Sequence, residues 1–319
     1  MIKLSYESIR TRLHWVLTSK SMFAKVWNNL KRTCKAVIKL YKNERFAQVG
    51  IIILIVYAFL AIFGPTIAPY DPFTSHRGPG GSVLRTAPPS TSHWLGTTHQ
   101  GRDVFTQLLY GARISMGVGL AAAFMAVFIG ANVGLVSAYF GGKVDDLLMR
   151  MTDIAYGLPF LPFVLVFIYV MGTNLINIIL VIGLVQWRGS ARVVRSEVLS
   201  QKERPYVESA RAIGASDMRI MYRHIFPNVV PIVSIYIAFA VAIAVIAEAS
   251  IAFLGFGDPD VYSWGRMMHY AYQTGAAREA WWWILPPGLL IVLLVTSVFF
   301  IGQALDKFTN PEIAKGGAR

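Results

Sequence analysis

Long runs of apolar residues dominate the chain, and shorter polar stretches separate them. A helix that crosses a membrane needs about 20 mostly apolar residues, because the hydrocarbon layer is about 30 Å thick. Six runs approach this length, at 49–67, 115–140, 154–171, 175–187, 229–254 and 282–301. The fourth run is the shortest and therefore the weakest candidate. The pattern predicts an all-α integral membrane protein with six transmembrane helices.

The basic residues give these predicted helices an orientation. If the N-terminus is cytoplasmic, 24 of the 30 Lys and Arg residues lie on the cytoplasmic side and six lie outside. Cytoplasmic loops of membrane proteins carry such an excess of positive charge. Eight of these residues lie in segment 188–227, which would be outside if the fourth run did not cross. The bias predicts six crossings in the plasma membrane with both termini cytoplasmic, and it accounts for the +13 net charge without nucleic acid.

The regions between the apolar runs differ in character. In the first 47 residues, basic and apolar positions alternate at helical spacing, which indicates an amphipathic helix in the lipid headgroup region. A basic tail that only sets topology is the alternative. Proline and glycine are frequent after the first helix, so a packed extracytoplasmic loop is expected there. The predicted organisation is an N-terminal segment 1–47, a first transmembrane helix 48–67, an outer loop 68–113, a core 114–304 containing the cytoplasmic loop 188–227, and a cytoplasmic tail 305–319.

The most informative polar stretch is 204–227, with the sequence RPYVESARAIGASDMRIMYRHIFP. It predicts two short helices. Pro205 suits a first helical turn, and Gly214 suits a left-handed C-terminal cap. Ser216 can cap the second helix, and Pro227 is expected to start the break before the next span. A rigid unit between two membrane helices would transmit movement from a protein bound to it.

This stretch resembles the EAA motif of ABC importer permeases, which docks into the nucleotide-binding subunit. Ser209 replaces the middle Ala of that motif, and Phe226 replaces the Leu of its closing Ile-Leu-Pro. The resemblance implies that six residues couple the chain to an ATPase: Glu208, Ser209, Ala210, Gly214, Ile225 and Pro227. The small side chains of this set would let the partner come close. The alternatives are a DNA-binding helix-turn-helix, which the flanking spans disfavour, and a passive hairpin.

Further segments resemble one family, the second-permease subunits of dipeptide and oligopeptide importers. They are 93–105 (HWLGTTHQGRDVF), 109–115 (LYGARIS) and 248–257 (EASIAFLGFG), and the similarity runs from about 46 to 306. Its outer-loop residues are Gly96, Gly101, Arg102 and Asp103. The resemblance implies a type I permease fold paired with a sister permease, two ATP-binding subunits and an extracytoplasmic binding protein. It implies di- or oligopeptides as substrates, with oligosaccharides or nickel as the alternative within the family.

Glu248 is the only charged residue deep within an apolar run. An intramembrane carboxylate is a functional candidate, although the spacing from Pro231 puts this one near the outer interface. Two interpretations stay open. Glu248 and Ser250 lie on the pathway or at the permease interface, or Glu248 makes a structural hydrogen bond.

Other polar residues receive structural interpretations. We expect Arg102 and Asp103 to pair locally and fold the outer loop. His93, His99 and Asp103 do not have the spacing of a zinc site, so no metal is expected. Gly157 and Pro159, early in the third run, indicate a kink, with a plain helix start as the alternative.

The chain lacks a G-x-x-x-x-G-K-[ST] phosphate loop, and neither H-E-x-x-H nor G-x-S-x-G occurs. We therefore expect no enzymatic activity and no cofactor in this chain, with ATP and Mg²⁺ bound by partner subunits. Cys34 is the single cysteine, so no intrachain disulfide is possible. An ion-coupled secondary transporter is the alternative from another class, but it would need polar groups at mid-membrane that are almost absent here.

Overall fold

A computed structural model describes residues 44–309, and within them almost all regular structure is helical. The all-α prediction is confirmed for this part of the chain, where the outer loop holds only isolated bridges. The predicted interfacial helix within 1–47 and the end of the tail lie outside the described residues. We number the helices α1 Arg45–Ile67, α2 Val104–Phe140, α3 Gly142–Gly157, α4 Phe160–Met171, α5 Leu175–Lys202, α6 Pro205–Ala212, α7 Asp217–Phe256, α8 Trp264–Gln273 and α9 Trp281–Thr309.

Four of the described helices, α1, α2, α7 and α9, are long and apolar enough to cross a membrane. The bent pair α3 and α4 would add a fifth crossing if it forms one span. Helix α5 has 28 residues, but its apolar part ends before Arg188. The count of six crossings therefore stays a prediction.

The predicted third span is not one straight helix. Helix α3 ends at Gly157, Leu158 is extended, and α4 starts after Pro159 at an angle of 91° to α3. Proline disfavours the helical conformation of the residue before it, which explains the position of the break. The kink is confirmed, and it shortens the straight part of the span. The 12 residues of α4 cover about 18 Å, less than a bilayer core of about 30 Å.

Helix α2 is the central element of the fold. It has 37 residues and starts at Val104 rather than near 115, because Asp103 caps it inside the predicted outer loop. Its first half packs into an apolar cluster with α5, α7, α8 and α9, and its second half packs into another with the start of α7. The residues between α1 and α2 that form the outer loop are therefore 68–103.

Close contact between α2 and α5 depends on two glycines four residues apart. A Cβ atom on Gly130 would lie 2.3 Å from the Trp187 carbonyl oxygen, and one on Gly134 would lie 2.5 Å from that of Ala191. Small residues at this spacing let membrane helices approach closely, where packing rather than the hydrophobic effect holds them together. The G-x-x-x-G pattern from Gly130 to Gly134 is a signal for this contact that can be read in the sequence.

Helix α7 is continuous from Asp217 to Phe256 and contains π-helical segments at Ile220–Ile225 and Ala252–Phe256. The predicted break at Pro227 is wrong. The π segment before it changes the bonding pattern, so that the Phe226 N–H donates to the Met221 carbonyl five residues back. The predicted second short helix of the 204–227 stretch therefore forms the first turns of a membrane helix, α7.

Candidate functional site

The turn between α6 and α7 is built around Gly214, which has a φ of +77°. The Gly214 N–H donates to the Arg211 carbonyl at 2.9 Å, and the Ala215 N–H donates to the Ala210 carbonyl at 3.1 Å. These two bonds form a Schellman motif, which ends a helix with a residue in the left-handed region. Pro205 occupies the first turn of α6. We call residues 204–219 the α6–α7 hairpin.

The two faces of this hairpin differ. Val207 and Ala210 are buried against the first turns of α7 and the end of α5. Ala210 is therefore an inward packing residue, and the expectation that it meets a partner surface is wrong. Glu208 is exposed, and so are Ile213 and Met218, whose exposed fractions are 84% and 61%. Two large apolar side chains are thus exposed on either side of the Gly214 turn.

Contacts with α2 hold the hairpin in place. The Tyr139 hydroxyl donates to Asp217 Oδ1 at 2.6 Å, and the Arg211 guanidinium lies 5.8 Å from the Tyr139 ring centroid. The hydroxyl of Ser216 makes no capping bond, contrary to expectation, and its backbone carbonyl accepts from the Ile220 N–H instead. Burial raises the pKa of the Tyr206 hydroxyl in the first turn of α6. These contacts join both sides of the hairpin to the end of α2.

The remaining residues of the predicted coupling set are less accessible. Ile225 is fully buried under α6, and Pro227 is half-buried in α7. Ser209 is exposed, and its hydroxyl donates to the Pro205 carbonyl of its own helix at 2.9 Å. The structure therefore divides the set into supporting residues and the exposed Glu208, Ser209 and Gly214.

An ion pair fixes α3 to α5 near the same end of the molecule. Arg195 Nε lies 2.6 Å from Asp145 Oδ1, and its Nη2 lies 2.5 Å from Oδ2, which is the bidentate geometry of a strong pair. The Ser137 hydroxyl at the end of α2 also donates to Asp145. Three helices are thus joined beside the α6–α7 hairpin, and sequence spacing alone gave no signal for this pair.

The outer loop requires glycine at two positions of the predicted family motif. Gly96 has a φ of +61°, and a Cβ on it would lie 2.4 Å from the Ala87 carbonyl oxygen. Gly101 has a φ of +72°, and a Cβ there would lie 2.5 Å from Val83 Cγ1. Both positions combine a left-handed backbone with a close neighbour. These glycines therefore shape the loop and make no contact that suggests a ligand.

Arg102 and Asp103 do not pair with each other, so that expectation is wrong. Asp103 accepts from the Thr106 N–H at 2.7 Å, as the N-cap of α2, and lies 2.8 Å from His93 Nδ1. Arg102 instead donates to the Tyr262 hydroxyl before α8. Adjacent residues on an extended backbone point to opposite sides, which separates their partners. Each residue therefore joins the outer loop to a different helix.

Next to the contact between His93 and Asp103, the His76 ring packs against the His93 ring, with centroids 4.8 Å apart. Burial lowers the pKa of His76, the charge of His93 lowers it further, and the charge of Asp103 opposes both. His99 is exposed on the loop surface. Burial raises the pKa of the Tyr262 hydroxyl, and the positive charges of Arg102 and Arg266 act in the opposite direction. The outer loop is thus held by buried polar contacts.

Glu248 is 2% exposed and connects three elements. The Ser115 hydroxyl donates to Glu248 Oε2 at 3.3 Å, and the same oxygen of Ser115 accepts from the Trp264 N–H at 3.2 Å. This geometry matches the hydrogen-bonding interpretation of Glu248. The Ser250 hydroxyl donates to the Ile246 carbonyl of its own helix at 2.7 Å. The pathway role of either residue stays a prediction.

Comparison with known proteins identifies the family. Residues 130–311 match the binding-protein-dependent transport system inner membrane components, and residues 34–89 match the N-terminal transmembrane domain of oligopeptide transport permease C. An oligopeptide transport permease of Bacillus subtilis is 35% identical over 71% of this chain and 73% of that protein. The chain belongs to the ABC importer permeases of the oligopeptide and dipeptide family. It is therefore a multi-pass membrane subunit that works with other transporter subunits.

Other relatives of this permease are also named as permeases of dipeptide or glutathione transport systems. A dipeptide transport permease of Bacillus subtilis is 36% identical over 73% of this chain and 72% of that protein. A glutathione transport permease of Escherichia coli O157:H7 is 33% identical over 72% of this chain and 75% of that protein. The inward-facing MetNI methionine ABC transporter has a chain of the same fold, with a TM-score of 0.52 and 19% identity over 64% of this permease and 96% of that chain.

The sequence analysis missed two parts of the site. The Tyr139–Asp217 contact joins residues 78 positions apart, so no local pattern announces it. Ile213 and Met218 carry a weak signal, because they are large apolar residues in a polar loop and lie on both sides of Gly214. Both side chains are exposed in the structure, as is Glu208.

Proposed function

We propose that this permease subunit imports di- or oligopeptides. One observation supports the substrate class: relatives that match about three quarters of their own length are named for oligopeptide, dipeptide and glutathione transport. All three substrates are short peptides. The proposed complex contains a sister permease, two ATP-binding subunits and an extracytoplasmic binding protein that delivers the peptide.

The α6–α7 hairpin is the proposed contact with an ATP-binding subunit. Its outward face combines the exposed apolar residues Ile213 and Met218 with the charge of Glu208, and its inward face is packed on α7 and α2. A subunit that binds this surface would move α7 directly, because α6 joins it through a single turn. ATP-driven closure of the partner subunits would thereby change the exposure of the peptide pathway.

The proposed orientation places both termini and the hairpin in the cytoplasm and the outer loop outside. The bias of 24 basic residues against six supports it. The absence of a phosphate loop from the sequence supports the proposal that ATP and Mg²⁺ bind only to the partners. Oligosaccharide or nickel import gains no support from the named relatives.

Reconstitution in proteoliposomes tests this function. The complete complex, supplied with its binding protein and ATP, should take up labelled di- or tripeptides, and a complex without ATP should not. The purified chain alone should hydrolyse no ATP. Uptake of an oligosaccharide or Ni²⁺ in preference to peptides would contradict the proposed substrate, and ATP hydrolysis by the pure chain would contradict its place in the complex.

A further inference from the structure

A cavity of about 160 Å³ lies where the outer-loop ends of α7 and α8 meet the connection between α4 and α5. Its volume equals that of several water molecules at about 30 Å³ each, enough for a small organic group. Its wall carries polar side chains and glycine backbone, and the residues that matter here are Thr173, Gly255, Gly257, Arg266, His269 and Tyr270.

Arg266 forms the charged part of this wall and is only 9% exposed. Its guanidinium donates to the Asp258 carbonyl at 2.9 Å, the Val261 carbonyl at 2.5 Å and the Tyr270 hydroxyl at 2.8 Å. All three acceptors are neutral. Within residues 44–309, no carboxylate lies within 4.0 Å of this guanidinium. Buried charges in proteins are normally paired, so the cavity beside Arg266 is suited to an anion.

The carboxylate of Asp258, whose backbone carbonyl accepts from Arg266, has other partners. Its Oδ2 accepts from the Leu175 N–H at 2.9 Å, and its Oδ1 accepts from the Asp260 N–H at 2.9 Å. The side chain of Asp258 therefore fixes the start of α5, and only its backbone carbonyl meets Arg266. The positive charge at the cavity wall is not cancelled by this residue.

His269 adds a second polar group. Its Nδ1 lies 2.7 Å from the Phe253 carbonyl oxygen, and a carbonyl can only accept, so Nδ1 carries the proton of this bond. Nε2 is then an acceptor, which can receive an N–H of a ligand but cannot donate to a carboxylate. Gly255 has a φ of +93°, and a Cβ there would lie 3.0 Å from the His269 ring. Irregular backbone of this kind in membrane proteins is found where it lines a cavity.

We infer that this cavity binds a carboxylate group of the transported substrate, held by Arg266 with His269 and Thr173 at its sides. The three acceptors named above use three of the five N–H donors of Arg266, and a carboxylate can accept from the remaining two. The identity of the ligand as a peptide rests on the proposed function, whereas the preference for a carboxylate rests on the cavity alone.

Protection from thiol labelling tests the site in the complete, nucleotide-free complex in nanodiscs. Thr173→Cys, combined with Cys34→Ser, places one thiol of this chain at the cavity, and its reaction with a small reagent is followed by mass spectrometry. Dialanine should slow the reaction about tenfold, as expected for a charged hydrogen bond, and dialanine amide should not. Acetate should protect at higher concentration, because it carries the same group.

Three further variants assign the protection to named residues. Arg266→Gln should abolish it. His269→Asn keeps a donor for the Phe253 carbonyl and removes the Nε2 acceptor, so it should weaken protection by dialanine, which has N–H groups, and leave protection by acetate unchanged. This variant serves if Arg266→Gln does not assemble. Arg278→Gln removes an exposed charge from the same region and should leave protection unchanged.

The outcomes separate this site from the proposed function. If the complex imports dialanine but neither dialanine nor acetate protects the thiol, the site is overturned and peptide import stands. If acetate protects and no peptide is imported, the site stands and the proposed substrate fails. Protection that requires only the binding protein, without substrate, overturns the site in favour of a protein contact.

Discussion

Replacing Gly214 perturbs the turn of the α6–α7 hairpin without a clash inside the chain. A Cβ at this position meets no atom within 4 Å, so the effect comes from the backbone. An L-residue in the left-handed region costs about 1–2 kcal/mol. If the turn instead changes conformation, two capping bonds worth about 1 kcal/mol each are lost. Gly214→Val should thus destabilise the native turn by about 2 kcal/mol, or about 30-fold in its population.

Two assays on the same membranes measure the consequence. Gly214→Val should insert normally, since the spans do not depend on this turn, while co-purification of the ATP-binding subunits and peptide uptake both fall. Gly214→Asn should remain close to wild type, because Asn tolerates a positive φ. Ala212→Val adds similar bulk to an exposed helical position and controls for size. Normal uptake by Gly214→Val with its ATPases bound, or equal losses in the Val and Asn variants, would refute the reasoning.

Three other predictions follow from the described contacts. A cysteine that replaces the exposed Asp260 should react with an impermeant thiol reagent added outside intact cells, and a cysteine that replaces the exposed Glu203 should not. The reverse pattern would overturn the proposed topology. Glu248→Gln should keep an acceptor for the Ser115 hydroxyl and unfold near the wild-type temperature. Glu248→Ala should lower the free energy of unfolding by about 1–3 kcal/mol in a thermal unfolding experiment. Equal losses in the two variants would argue against a hydrogen-bonding role. Because burial lowers the pKa of His76, its contribution to the free energy of unfolding should be complete above about pH 6.5, the unfolded value, and be lost as the pH falls from there through the lower folded pKa. His76→Phe should flatten this dependence, and an unchanged slope would contradict it.

The sequence predicted those parts of the fold that depend on local chemistry. Apolar runs placed the long helices, and the proline after Leu158 placed the break between α3 and α4. Gly214 was identified as a left-handed cap because few other residues fit that conformation. The coupling motif was recognised from residue types within one loop. Each of these features is fixed by neighbours in sequence.

Features that depend on distant partners could not be predicted. Asp103 follows Arg102 in sequence, yet its partner is His93 and that of Arg102 is Tyr262, 160 residues away. Ala210 looked suited to a partner surface because it is small, but helical phase turns it inward with Val207. Helix α2 began earlier than expected because a polar stretch can continue a helix when tertiary contacts bury it. Hydropathy alone does not contain that information.

The central claim is that the outward face of the α6–α7 hairpin contacts an ATP-binding subunit. A photoreactive amino acid at position 213, where Ile213 is 84% exposed, tests it most directly in the assembled transporter. The same amino acid at the exposed Trp94 of the outer loop is the control on the opposite side. The account predicts that irradiation joins position 213 to the ATP-binding subunit and that position 94 gives no such product. A complex that imports peptides but gives no cross-link to that subunit from position 213 would contradict the claim.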